Sequence, residues 1–162
     1  MKALSVEQCI MNGEKELQEL FKYVETDAQE LQAYDMEKEI FSKIMQIGLA
    51  AMTCHFAEKG TGEVGWELSL EDGTVLKMES ALRSRCYFSV FGEIKVPRAY
   101  YHCEGVPGVM PLDVLADLPD RGYSYLSLDW MDTLSIRDSF KESVITLSKL
   151  SGLKVSSAVL KL

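Results

Sequence analysis

Lysines and serines gather at the end of the chain in a pattern suited to holding a phosphate backbone. In residues 135–162, SIRDSFKESVITLSKLSGLKVSSAVLKL, Lys154, Ser156, Ser157 and Lys161 surround the start of a short periodic segment, and Lys149, Lys141 and Arg137 lie upstream. Phe140, Val144, Leu147 and Leu150 recur at steps of four and three, the spacing of an amphipathic helix. Gly152 interrupts that run, and Ser156 is placed to cap a second helix. The reading is helix, turn, helix, with Gly152 supplying a left-handed turn residue. In the nucleic-acid-binding form of this motif the first helix braces the second, whose first turn enters a major groove. Lys154, Ser156, Ser157 and Lys161 would then face the duplex, while Lys149 and Lys141 position the chain on phosphates. Arg137, like Arg121, either holds phosphate or neutralises a neighbouring acid, Asp138 or Asp120. An ordinary αα-hairpin packed into a helical core is the alternative for the whole stretch.

Charge restricts how such a surface would behave. Residues 1–60 and 61–120 each carry −5 and residues 121–162 carry +2, giving −8 for the chain. Only the last segment is basic, so binding of double-stranded DNA by this chain alone is expected to be weak and salt-sensitive.

The four cysteines, Cys9, Cys54, Cys86 and Cys103, form no C-x-x-C pair, and free thiols are expected. Each histidine adjoins a cysteine, in Cys54-His55 and His102-Cys103. Adjacent residues diverge by about 100° on a helix and point to opposite faces of a strand, so neither a metal site nor another cofactor is expected. A small enzyme pairing Cys103 with His55 has no supporting motif. At 162 residues, 47% hydrophobic and 26% charged, the chain has the composition of a globular protein. The apolar run at residues 44–52 is too short to span a membrane, and the first residues lack the apolar stretch of a signal peptide. A cytoplasmic, nucleoid-associated location is expected, with no membrane partner.

Behind the tail, three kinds of element must position it. Residues 14–58 read as two helices or one long bent one. Leu17, Leu20, Phe21, Val24, Ala28 and Leu31 make a first stripe; Ile40, Ile44, Ile47 and Ala51, beside Phe41, Met45, Met52 and Phe56, make a broader one after a cap at Asp35. The first stripe is regular enough to pair with a copy of itself, the alternative being packing on its own domain. From residue 66 to 101 the period becomes two. One hairpin turns at Asp72-Gly73; a second has arms 83–90 and 94–101 about Phe91-Gly92-Glu93, and together they make one small antiparallel sheet. Pro97 suits an edge strand. Arg83, Arg85, Lys95 and Arg98 give the second hairpin a basic cluster that would either touch phosphate or be solvated. Ser124 caps a helix whose core is Leu126, Trp130, Leu134 and Ile136, bracing the two helices after it.

Several short motifs in order resemble the N-terminal region of bacterial DDE-type insertion-sequence transposases of the ISKra group. These are Gly62-Glu63-Val64-Gly65, Asp72-Gly73, the run from Cys86 through Tyr87, Phe88, Ser89, Val90, Phe91 and Gly92 to Glu93, and Arg98-Ala99-Tyr100-Tyr101. Pro111-Leu112-Asp113, Leu118-Pro119, Tyr123-Ser124-Tyr125-Leu126 and Asp129-Trp130 follow. The likeness covers roughly residues 37–162. It implies recognition of element-end DNA, by a fragment, a first-frame product or a truncated regulator of transposition. It does not bring the chemistry: the family's two Asp and one Glu lie on a later domain that positions two metal ions, so no catalytic residue is nominated and no enzyme is expected. Only Cys103 stands where relatives carry a cysteine-rich zinc knuckle.

Taken together, an α+β, mostly helical chain is expected: N-terminal helices with possible dimerisation at residues 1–60, a two-hairpin antiparallel sheet at 61–110, and a helix-turn-helix-like DNA-binding unit at 111–162. Its partners would be double-stranded DNA and a second copy or a full-length transposase. A protein-interaction module of transposase origin, without DNA binding, is the alternative.

Overall fold

The N-terminal apolar stripes form two helices rather than one. The computed structural model describes residues 5–26, 29–135 and 140–152. Helix α1 (Val6–Thr26) and helix α2 (Ala33–Lys59) pack as a hairpin. Helix α1 begins at Val6, eight residues before the start expected at residue 14. Its seam with α2 uses Cys9, Gly13 and Leu20, with Gly13 against Ala50. The expected cap at Asp35 is corrected: Gln32 occupies the cap position of α2, and Asp35 lies in the first turn, where a carboxylate complements the helix dipole. At its other end α2 stops at Gly60, whose N–H donates to the Ala57 carbonyl.

Six strands follow: β1 (Glu67–Ser69), β2 (Val75–Met78), β3 (Arg83–Ser89), β4 (Gly92–Arg98), β5 (Tyr101–Cys103) and β6 (Val106–Val109). The Asp72-Gly73 hairpin joins β1 to β2, with Leu68 opposite Leu76, and Asp72 Oδ1 accepts from the Thr74 N–H at 2.8 Å. The second hairpin, β3–β4, pairs Arg83 with Arg98 through Ser89 with Gly92, so it turns at Val90-Phe91. The two expected hairpins do not share one sheet. The first belongs to a four-stranded antiparallel sheet of order β1-β2-β5-β6, and β3–β4 is a separate two-stranded ribbon. The ribbon leaves the sheet between β2 and β5, where the Glu79 N–H donates to the Tyr100 carbonyl at 2.8 Å. Both strands of a two-stranded ribbon are edges, which is why Pro97 is tolerated opposite Ser84.

Three helices complete the described chain: α3 (Pro111–Leu115), α4 (Tyr125–Ser135) and α5 (Phe140–Leu150). The core is built in three parts. Phe56 of α2, Ile94 and Val96 of β4 and Leu112 of α3 make one cluster, and Leu76, Ala99 and Tyr101 make a second against the sheet. Met131 of α4 and Leu147 of α5 make the third, joined by Tyr123, Leu128, Trp130 and Leu134. The α4 stripe is therefore corrected in part. Trp130 and Leu134 do pack inward, but Leu126 is exposed and the buried positions are Ser127 and Met131. Ile136 lies outside the described residues.

Tyr101 ties the loop after α2 to the sheet. Its hydroxyl accepts from the Val64 N–H at 2.9 Å and donates to the Gly65 carbonyl at 2.8 Å. Gly62 has no room for a side chain, because a Cβ there would stand 2.5 Å from the backbone nitrogen of Leu112. That close approach seats α3 beneath the loop.

Candidate functional site

The β3–β4 ribbon is the mount for the C-terminal helices, and it grips them at two points. Near the start of α4, the Phe88 N–H donates to the Gly122 carbonyl at 2.8 Å and the Phe88 carbonyl accepts from Ser124 N–H at 3.0 Å, while the Phe88 and Tyr123 rings stack at 5.0 Å. Ser124 caps α4 as its sequence position suggests: its Oγ accepts from the Ser127 N–H at 3.0 Å. The buried Ser127 hydroxyl also donates to the Phe88 carbonyl at 3.1 Å. At the end of α5, the Gly152 N–H donates to the Val90 carbonyl at 2.9 Å.

Gly152 has a different role from the one its sequence position suggests. Its φ is not positive, so it does not serve as a left-handed turn residue. It is glycine because a Cβ would lie 2.2 Å from the Phe91 carbonyl oxygen. The Phe91 ring in turn packs over Gly48 of α2, where a Cβ would lie 2.4 Å from the ring. One turn, Val90-Phe91, thus locks α2 to the end of α5.

Of the residues nominated for DNA, Lys149 is exposed on the last turn of α5, and Lys141 lies in the first turn of the same helix. Arg137, Lys154, Ser156, Ser157 and Lys161 lie outside the described residues. Three of the four cations of the second hairpin's basic cluster are engaged within the molecule. Arg98 Nη1 meets Asp113 Oδ2 at 2.5 Å, and Arg85 Nη1 approaches the same oxygen at 3.5 Å. Arg85 Nη2 donates to the Arg121 carbonyl at 2.6 Å and also to that of Pro119. Asp117, in the left-handed region at φ 45°, turns the chain after α3 and leads into these two carbonyls. Arg83 pairs with Glu79 at 2.7 Å and lies over the Tyr100 ring at 3.5 Å. Lys95 is the one cation of the hairpin with no ion pair among the described residues.

The cysteine and histidine pairs are separated by the fold. His55 stands edge-on to Phe56 on α2 at 5.6 Å, whereas His102 stacks on Tyr100 at 5.4 Å and Cys103 packs against the sheet cluster. Among the described residues no three His, Cys, Asp or Glu side chains gather around a possible metal position. Burial pushes the Cys9 thiol up, with Cys54 nearby adding to the effect. A hydrogen bond with Glu93 holds the Cys86 thiol up, aided by burial. Neither is an activated nucleophile.

No family model, curated protein or solved structure matches this chain.

A second surface lies on the N-terminal hairpin. A groove of about 490 Å³ runs along the seam of α1 and α2, lined among others by Ile10, Gly13, Leu17, Ile47, Ala51 and Cys54. Leu17, Phe21 and Val24 are exposed; among the described residues of the first apolar stripe only Leu20 is buried against α2. Ala28 lies outside the described residues. By length and composition α2 could cross a membrane, and only 11% of its apolar stretch is buried within the molecule. On the α2 side of this groove, Ile47 and Ala51 were legible as the end of the stripe that begins at Ile40 and Ile44, which reads equally well as core. Ile10 had no such signal, lying before the periodic stripe.

Proposed function

We propose that this chain is the non-catalytic, DNA-recognising part of a transposase-like protein, binding element-end DNA or acting as a truncated regulator of transposition. The observation that carries this reading is the double attachment of the α4–α5 pair to the β3–β4 ribbon, through Ser127 and Phe88 at one end and Gly152 and Val90 at the other. The basic segment that begins after Gly152 thereby starts from a point fixed on the molecule, as a reader that must hold register on a duplex requires. The ordered motif likeness to ISKra-group transposases supports the same reading. Lys154, Ser156, Ser157 and Lys161 are its base-facing and phosphate-facing residues, with Lys149, Lys141 and Arg137 on the backbone.

Selection of bound duplexes from a random pool, followed by titration of the winner against salt, tests it. A defined site should be enriched, with a slope of log affinity on log salt of about −2 to −4, as a few phosphate contacts give. Ser157→Glu should abolish the preference, and Lys154→Glu should lower affinity for all sequences alike. A second reading, a protein-interaction module without DNA binding, is favoured by the engagement of Arg83, Arg85 and Arg98 with partners of their own. No enriched site even at low salt would select it.

A further inference from the structure

We propose that the open face of the α1–α2 hairpin is closed by the same face of a second copy of this chain, the two hairpins forming a four-helix bundle. This inference is independent of DNA binding. On α1, Ile10, Leu17, Phe21 and Val24 fall within one narrow sector of the helix, next to the seam residues Cys9, Gly13 and Leu20. On α2, Ile40, Ile44, Ile47 and Ala51 share a face, turned away from the Leu49, Met52 and Phe56 side that enters the core. Ile10 and Leu17 of the first sector and Ile47 and Ala51 of the second line the 490 Å³ groove, which joins the two sectors at that end of the hairpin.

Its size fits a dimer. Phe21 is 62% exposed, Ile10 and Ile44 are 48% and Leu17 is 44%. With their neighbours these side chains form an exposed apolar patch on the order of several hundred Å² per copy, the scale of an interaction site and comparable with the roughly 800 Å² that each partner contributes to a standard interface. The groove floor is lowered by Gly13, Ala50 and Ala51, which leaves recesses between the larger side chains on either bank. An isologous pairing sets the large residues of each copy into such recesses of the other. Two antiparallel hairpins brought together in this way make the usual four-helix arrangement.

Charge argues against an anionic lipid surface as the occupant. Helices that lie on anionic lipid carry Lys and Arg on the polar face. Here Glu14 and Glu58 line the groove itself, and α1 has Glu7, Glu14, Glu16, Glu19 and Glu25 against Lys15 and Lys22.

Light scattering and sedimentation equilibrium of the full chain at micromolar concentration test the proposal, with Phe21→Glu and Leu17→Glu as variants. Both side chains are exposed in the single copy, so neither variant should disturb its fold, and circular dichroism should remain that of the parent. The parent should be a dimer and each variant a monomer, with the dimer dissociation constant raised at least tenfold. A monomeric parent overturns the proposal, as does a dimer that survives both substitutions. Sedimentation with neutral and with anionic phospholipid vesicles supplies a further arm: a parent that is monomeric in buffer and pellets with vesicles assigns the face to lipid instead.

Discussion

Asp113 is where two basic side chains of the ribbon, Arg85 and Arg98, converge, and its loss should be felt throughout the first core cluster. The Arg98 side chain is only 9% exposed, and its Nε has no hydrogen-bond partner among the described residues, so Asp113 is the group that balances it. Asp113→Ala leaves that guanidinium buried without a counter-charge. We expect a loss of about 2–4 kcal/mol, read as a lower urea midpoint at unchanged slope. Glu79→Gln, which breaks the exposed pair with Arg83, should move the midpoint far less. The thiols give a pH-dependent counterpart. Cys9 and Cys86 are both raised above the ordinary value of 9.0. In the folded chain they should therefore react with a maleimide or disulfide reagent more slowly than in the urea-unfolded chain at pH 8 to 9. The unfolded thiols ionise first, so the stability contributed by the neutral thiols is full below pH 9 and is lost as pH rises through the folded values.

At the level of elements, the docking of the Val90-Phe91 turn makes a sharp prediction about two glycines. Gly48→Ala sets a methyl group into the Phe91 ring and should destabilise the chain by about 1–3 kcal/mol. In a Phe91→Ala background the clash is gone, and the same substitution should instead stabilise helix α2 by up to about 1 kcal/mol, the ordinary helical preference for Ala over Gly. Such a reversal of sign in a double-mutant cycle would establish the contact. Gly152→Ala has no such rescue, since the clash is with the Phe91 carbonyl. It should loosen the end of α5 from the ribbon, and with it any register that the basic segment holds on DNA. The hairpin at Asp72-Gly73 and the Ser124 cap were legible from sequence because each is decided by neighbouring residues. Strands β5 and β6 were not. They are three and four residues long, separated by Glu104-Gly105, and β6 contains Pro107-Gly108, so they show no alternation long enough to read.

At the scale of the whole molecule, the two proposed surfaces lie at opposite ends of the chain and meet the same body. Helix α2 enters the core through Leu49, Met52 and Phe56, and the ribbon carries α4 and α5. A dimer through the hairpins would therefore hold two copies of the C-terminal segment at a fixed separation. If both proposals stand, the selected duplexes should contain two half-sites in inverted orientation, and Phe21→Glu should reduce binding to the double site while leaving affinity for a single half-site unchanged. Retention of full affinity for the double site by the monomeric variant would show that the two surfaces act separately.

By itself the sequence determined what local spacing can determine: helical N-terminal and C-terminal regions, a strand-rich centre, the Asp72-Gly73 turn, the Ser124 cap and the confinement of a net positive balance to residues 121–162. Tertiary structure decided which apolar stripe is covered and which cations are spent. Leu20 and Leu17 are three residues apart on the same helix, yet one faces α2 and the other faces open space. Arg85 and Arg98 read as surface cations until α3 brings Asp113 to them from 28 and 15 residues away. Spacing sets the direction of a side chain relative to its own element. What stands in that direction depends on how distant elements pack, and that information is held in no local stretch of the chain.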